Sequence, residues 1–114
     1  MSHLSILPTV LQDETLLALA LEDLGLSPEP AQVLRGFGAD RQPVSLRVQL
    51  AEGLQIGWSR QADGSLALVG DLQRLARSTS VQQLIGQITR CYAARHALQS
   101  AARELPGARV ALVS

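Results

Sequence analysis

The stretch that decides the fold is Val44-Ser45-Leu46-Arg47-Val48-Gln49-Leu50-Ala51-Glu52-Gly53-Leu54-Gln55-Ile56-Gly57-Trp58-Ser59, continued through Asp63-Gly64 to Leu66, Leu68 and Val69. Val44, Leu46, Val48 and Leu50 alternate with Ser45, Arg47 and Gln49, so one face is apolar and the other polar. After Ala51-Glu52-Gly53 the alternation resumes with Leu54, Ile56 and Trp58, and Asp63-Gly64 turns the chain into Leu66 and Leu68. Period-two alternation broken by glycine turns is the pattern of two linked hairpins in a half-buried antiparallel sheet.

Upstream, Leu4, Ile6 and Val10 have strand character. Pro8 cannot donate to a ladder, so this strand is an edge, ends near Pro8 or carries a bulge there. Asp13 can cap a helix running through Leu24, with Gly25 placed for a left-handed C-terminal cap and Leu17, Ala20, Leu21 and Leu24 as its apolar stripe. Ser27-Pro28-Glu29-Pro30 is a stiff connector, Ala31 to Phe37 a short strand, and Gly38, Asp40 and Pro43 mark a loop.

Downstream, Asp71 to Thr79 reads either as a helical turn using Leu72 and Leu75 or as an ordered loop. A second, long helix starts near Ser80, where Gln83 completes a capping box. Val81, Leu84, Ile85, Ile88, Cys91, Tyr92, Leu98, Ala102 and Leu105 recur mostly at three- and four-residue steps. Arg95 breaks the stripe; either its stem lies along apolar surface or the helix leaves the core there. Pro106-Gly107 stops the helix, and Val110, Leu112 and Val113 form a closing strand.

The order strand, helix, three or four strands, long helix, strand predicts one α+β domain over residues 1–114. Two helices with one apolar stripe each need a common surface, which one sheet face provides. The expected architecture is a two-layer sandwich with an antiparallel-rich sheet and two helices on one face, ferredoxin-like with an extended central meander. The other sheet face, carrying Ser45, Arg47, Gln49, Gln55, Ser59 and Val69, is then either simply solvated or a partner surface.

At 114 residues the chain can bury a single core without staples. Ten basic side chains, all arginine, balance ten acidic ones, so no net positive field drives nucleic-acid binding and no polybasic cluster holds a membrane. No segment is apolar over the roughly 18 residues that span a bilayer. Met1 to Val10 lacks the plan of a signal peptide, and one unpaired cysteine suits a reducing compartment, so a cytoplasmic setting is expected.

Candidates for chemistry are few. Met1-Ser2-His3 has the spacing of an amino-terminal copper or nickel site, but removal of Met1 before the small Ser2 would dismantle it; His3 opening an edge strand is the simpler reading. Cys91 and His96 lie five apart on one helix and diverge. Cys91 falls within the apolar stripe, where a free thiol acts as a small hydrophobe. His96 follows Tyr92 by four, a spacing for an aromatic contact or hydrogen bond. Two histidines and one cysteine cannot build a zinc site from those types alone. Gly36-Phe37-Gly38 lacks the third glycine of a phosphate loop. The sequence assigns no catalytic residue, metal or cofactor and leans away from an enzyme.

Binding is the better expectation. Arg35, Arg41, Arg47 and Arg60 are dispersed over the strand region and can receive an anion if they converge. The residues expected to form a ligand or partner face are Arg35, Arg47, Gln49, Gln55, Ser59, Arg60 and Asp71. The favoured function is a non-enzymatic module binding another protein or a second copy through the sheet face or an exposed edge. The alternative is a sensor or carrier of a small anionic ligand. An RNA platform would need stacking aromatics on the open face, and Trp58 and Tyr92 fall on core faces.

The opening Met1-Ser2-His3-Leu4-Ser5, Asp23-Leu24-Gly25, Val33-Leu34-Arg35-Gly36, Gln55-Ile56-Gly57-Trp58 before Asp63-Gly64, and Leu68-Val69-Gly70-Asp71 occur in an order that resembles the family called hypothetical chloroplast open reading frame thirty-five. The resemblance runs along nearly the whole chain and implies a cytosolic or stromal setting in cyanobacteria or plastids, with an accessory role around photosynthesis. That family often has a tryptophan after the aspartate equivalent to Asp71, where this chain has Leu72-Gln73-Arg74. It carries no assigned activity, so the resemblance transfers no site.

Overall fold

A computed structural model describes residues 4–36, 40–50 and 53–104. Its elements are β1 (Leu4–Leu7), α1 (Glu14–Asp23), β2 (Glu29–Arg35), β3 (Arg41–Gln49), β4 (Gln55–Arg60), β5 (Leu66–Asp71), α2 (Leu72–Arg77) and α3 (Thr79–Glu104). The sheet order is β1-β5-β4-β3-β2, and every neighbouring pair is antiparallel. Four antiparallel steps leave β1 and β2 running in the same direction at opposite edges. The β1-α1-β2 unit is therefore split by three meander strands, the expected ferredoxin-like plan with an extended centre. The closing strand expected at Val110, Leu112 and Val113 lies outside the described residues, as does His3.

Register sorts the sheet into two faces. Leu46 lies opposite Trp58, Trp58 opposite Leu68, and Val48 opposite Ile56, all on the face that meets the helices. These pack with Leu16, Leu17, Ala20 and Leu21 of α1 and Val81, Ile88 and Tyr92 of α3 into one core. Asp13 caps α1 as its position implies, with Oδ1 accepting from the Leu16 amide at 3.1 Å. Arg95, the break in the α3 stripe, turns its Nε and Nη2 to the two carboxylate oxygens of Asp23, each at 2.7 Å. The pair ties the end of α1 to α3 at the rim of the core.

Three local expectations resolve or shift. Asp71 to Thr79 takes the helical reading, because Asp71 Oδ1 accepts from the amides of Gln73 and Arg74 and starts α2. The cap of α3 is Ser78 rather than Ser80: its Oγ accepts from the Val81 amide at 3.2 Å. A cap must sit just outside the helix with extended backbone, as Ser78 does at φ −112° and ψ 106°. Pro43, expected in a loop, lies within β3 opposite Val33. β3 pairs with β4 only over Leu46–Gln49, so on that side the missing donor of Pro43 faces no strand.

The larger departure concerns Val44. Alternation assigns it to the helix-facing side with Leu46 and Val48, yet it packs with Leu34, Val69 and Leu4 in a separate small cluster. Leu4 and Asp40 explain why. β1 and β2 are at opposite edges of the sheet, about 19 Å apart at the usual strand spacing. Nevertheless the Leu4 amide donates to Asp40 Oδ2 at 2.8 Å, and a Cβ on Gly36 would lie 2.9 Å from Leu4 Cγ. The outer half of the β2–β3 hairpin therefore coils back across the face remote from the helices. A two-stranded ribbon twists more than a sheet interior, and here the twist carries Val44 to the second face. Gly57 makes room for it: a Cβ there would sit 2.8 Å from Val44 Cγ1.

Candidate functional site

The coiled hairpin changes what the second sheet face can offer. Val69, expected on an open surface, is fully buried beneath it. Arg47 shares this face, since it lies opposite Gly57 and Gly57 opposite Val69. Its Nη2 meets Glu29 Oε2 and its Nη1 donates to the Val33 carbonyl, both at 3.0 Å. Those contacts hold the hairpin rather than face solvent, and Arg47 Nε is buried without a partner. Gln49 is exposed opposite Gln55, and Ser59 is half-buried with its carbonyl accepting from Gln61 Nε2 at 3.1 Å.

What the hairpin leaves uncovered at one end of this face is a pocket of about 230 Å³. Gln55 and Asp71 are brought together there, since Gly57 opposite Val69 sets Gln55 beside Asp71 two residues further along the antiparallel pair. Arg35 and Gly36 of the hairpin tip, Leu4 and Arg74 also line it. Three of the seven expected residues, Arg35, Gln55 and Asp71, thus converge. Arg74 was not among them; it comes with the helical reading of α2, one turn after the capping aspartate.

Arg60 lies elsewhere. It lines a groove of about 800 Å³ between the β1–α1 connection and α3. Its Nη1 donates to the carbonyls of Gln12 at 3.2 Å and Gly64 at 2.8 Å, and Nη2 is 3.9 Å from Glu14 Oε1. Across the groove the Tyr92 hydroxyl accepts from the amides of Gln12 at 3.2 Å and Asp13 at 2.9 Å. Thr9 Oγ1 donates to the Leu66 carbonyl, fixing the same connection to β5. His96 stacks on Tyr92, with centroids 6.2 Å apart and planes 17° apart, the aromatic contact their spacing allows. Cys91 is a half-buried free thiol packed against the core.

The third feature is apolar. Ile6, Leu7 and Val10 are 47%, 38% and 86% exposed along β1 and its exit, and Val10 stands at the mouth of the groove. Among the described residues β1 has one strand neighbour, β5. Pro8 leaves β1 an edge, an early end or a bulge, and nothing in the sequence singles out Leu7 or Val10.

Among the described residues no three histidine, cysteine, aspartate or glutamate side chains gather into a metal-binding group. No helix among them is long and apolar enough to cross a membrane. Two carboxylates are displaced from their ordinary range. Asp23 is held low by its hydrogen bond to Arg95, and Asp63 by bonds from the Ser65 hydroxyl and amide. The first is a helix tie and the second a turn, so neither marks a reactive centre.

The family model described as protein of unknown function (DUF1257) matches residues 20–110, most of the chain. The chain belongs to that family. No curated protein and no solved structure gives a significant match.

Proposed function

We propose that this member of the DUF1257 family is a non-enzymatic protein-interaction module that docks an extended segment of a partner protein along β1. The observation that carries this reading is the run of exposed apolar side chains Ile6, Leu7 and Val10 on a strand with one edge unpaired among the described residues. Exposed edges are ordinarily blunted by charge, and Leu4-Ser5-Ile6-Leu7 has none. An added strand takes affinity from main-chain hydrogen bonds and specificity from alternate side chains. Ile6 and Leu7 point to opposite faces, and Val10 extends the contact toward the groove.

The resemblance to the chloroplast reading-frame family extends the proposal to a cytoplasmic or stromal accessory protein of an oxygenic phototroph. The test is affinity capture from extract of the native cells, with Ile6→Lys and Val10→Asp as comparison baits and light scattering to report self-association. A partner held by the wild type and by Arg60→Gln, and lost with both β1 variants, is the expected result. An unchanged partner set in the β1 variants would overturn the reading. A second copy as the partner would appear as a mass that rises with concentration in the wild type and not in Ile6→Lys.

A further inference from the structure

We propose that the 230 Å³ pocket beneath the hairpin tip binds a small hydroxylated phosphate monoester, with Arg35 and Arg74 at the phosphate and Gln55 and Asp71 at the hydroxyl end. The inference rests on a different observation from docking along β1, the residues gathered under the hairpin, although Leu4 at the start of β1 also lines the pocket.

Size sets the first limit. At about 230 Å³ the space falls below the roughly 300–1,000 Å³ of drug-sized ligand pockets and suits a small molecule. Charge sets the second. Two arginines from different elements line the pocket, Arg35 at the end of β2 and Arg74 in the first turn of α2. A guanidinium fork matches the oxygens of a phosphate in bidentate fashion. Arg35 is exposed and has no hydrogen-bond or ion-pair partner among the described residues, so its donors are available to a ligand.

The acidic member sets the third. Asp71 Oδ1 is taken by the Gln73 and Arg74 amides, which leaves Oδ2 as an acceptor. Gln55, half-buried on the neighbouring strand, offers both a donor and an acceptor. A hydroxyl satisfies these two groups, whereas a second anionic group would meet the Asp71 carboxylate. The pocket is thus built to accept one anionic end and reject molecules charged at both, a selection made by repulsion. Because Arg35 belongs to the hairpin tip and Gln55 and Asp71 to the sheet, a bound ligand spans the two and fastens the coil.

The test is an amide-resolved NMR titration of the full chain with glycerol 3-phosphate. Malonate and sodium chloride at matched ionic strength are the comparisons. The expected result is saturable shifts at Gly36, Gln55 and Asp71, slower hydrogen exchange at the Gly36 amide, and weak response to malonate. Arg35→Gln lowers the affinity about tenfold, and Gln55→Glu lowers it while leaving the spectrum of the free protein otherwise intact. Shifts that follow salt concentration without saturating, or equal affinity in the wild type and both variants, would overturn the proposal. So would malonate binding as tightly as the phosphate ester.

Discussion

The amide of Leu4 donates to Asp40 Oδ2 across 2.8 Å, although the two residues belong to opposite edges of a five-stranded sheet. That bond, with Leu34, Val44 and Val69 buried under the hairpin, closes the sheet face that alternation alone leaves open. Each of those side chains contributes about 1.5–3 kcal/mol through burial, so the coil is an energetic feature of the fold. Asp40→Ala removes the acceptor from the Leu4 amide. It is expected to cost about 1–2 kcal/mol, read as a lower chemical-denaturation midpoint, with faster amide exchange at Leu4 and Gly36.

Gly57 is the second determinant of the coil. Its position allows Val44 Cγ1 to approach where a Cβ would be 2.8 Å away. Gly57→Ala therefore forces Val44 outward or shifts β3, with an expected loss of about 1–3 kcal/mol from overpacking. The double variant Gly57→Ala with Val44→Ala should recover part of that loss. Additive losses in a double-mutant cycle would show that the two positions do not touch.

Tyr92 joins α3 to the start of α1 through two backbone amides. Tyr92→Phe leaves the amides of Gln12 and Asp13 without that acceptor and is expected to cost about 1–3 kcal/mol. His96→Ala removes only an exposed stacked ring and should cost less than about 1 kcal/mol. Thermal unfolding of the two variants measures the difference.

The Asp23–Arg95 pair gives the stability a defined acid limb. Hydrogen bonding to Arg95 lowers the folded pKa of Asp23 below 3.8, so the folded state holds the charged carboxylate more firmly than the unfolded state does. Its contribution is fully present above the unfolded pKa and is lost as pH falls through the lowered folded pKa. Both side chains are about one-third exposed, and solvent screening keeps the contribution to about 0.5–1 kcal/mol. Asp23→Asn should be less stable than the wild type by that amount at neutral pH. The gap should close below pH 3.8; a gap constant with pH would assign the loss to packing instead.

The α+β class, the antiparallel meander, the two longer helices and most of the main-core residues of α1, β4 and β5 were legible in the sequence alone. Those are consequences of local periodicity, since a two-residue repeat and a three-to-four-residue stripe each select one backbone geometry. The cap at Asp13 was legible for the same reason, since its side chain bonds within its own few residues, whereas Asp71 to Thr79 was legible only as either a helical turn or an ordered loop. The tertiary structure alone decided that Val44 leaves its alternation partners, that Arg47 braces a hairpin instead of facing a partner, and that Arg60 separates from Arg35, Gln55 and Asp71. The first two follow from the coil of the β2–β3 ribbon, whereas Arg60 is set apart by its place on β4, five residues from Gln55 and on the face of Trp58. Twist accumulates along a strand and depends on what the ribbon can rest upon, here Leu4 and Val69 from strands at and next to the far edge. No pattern within β2 or β3 records that distant surface, so the closure of one face and the pocket beneath it arise only when the whole sheet is assembled.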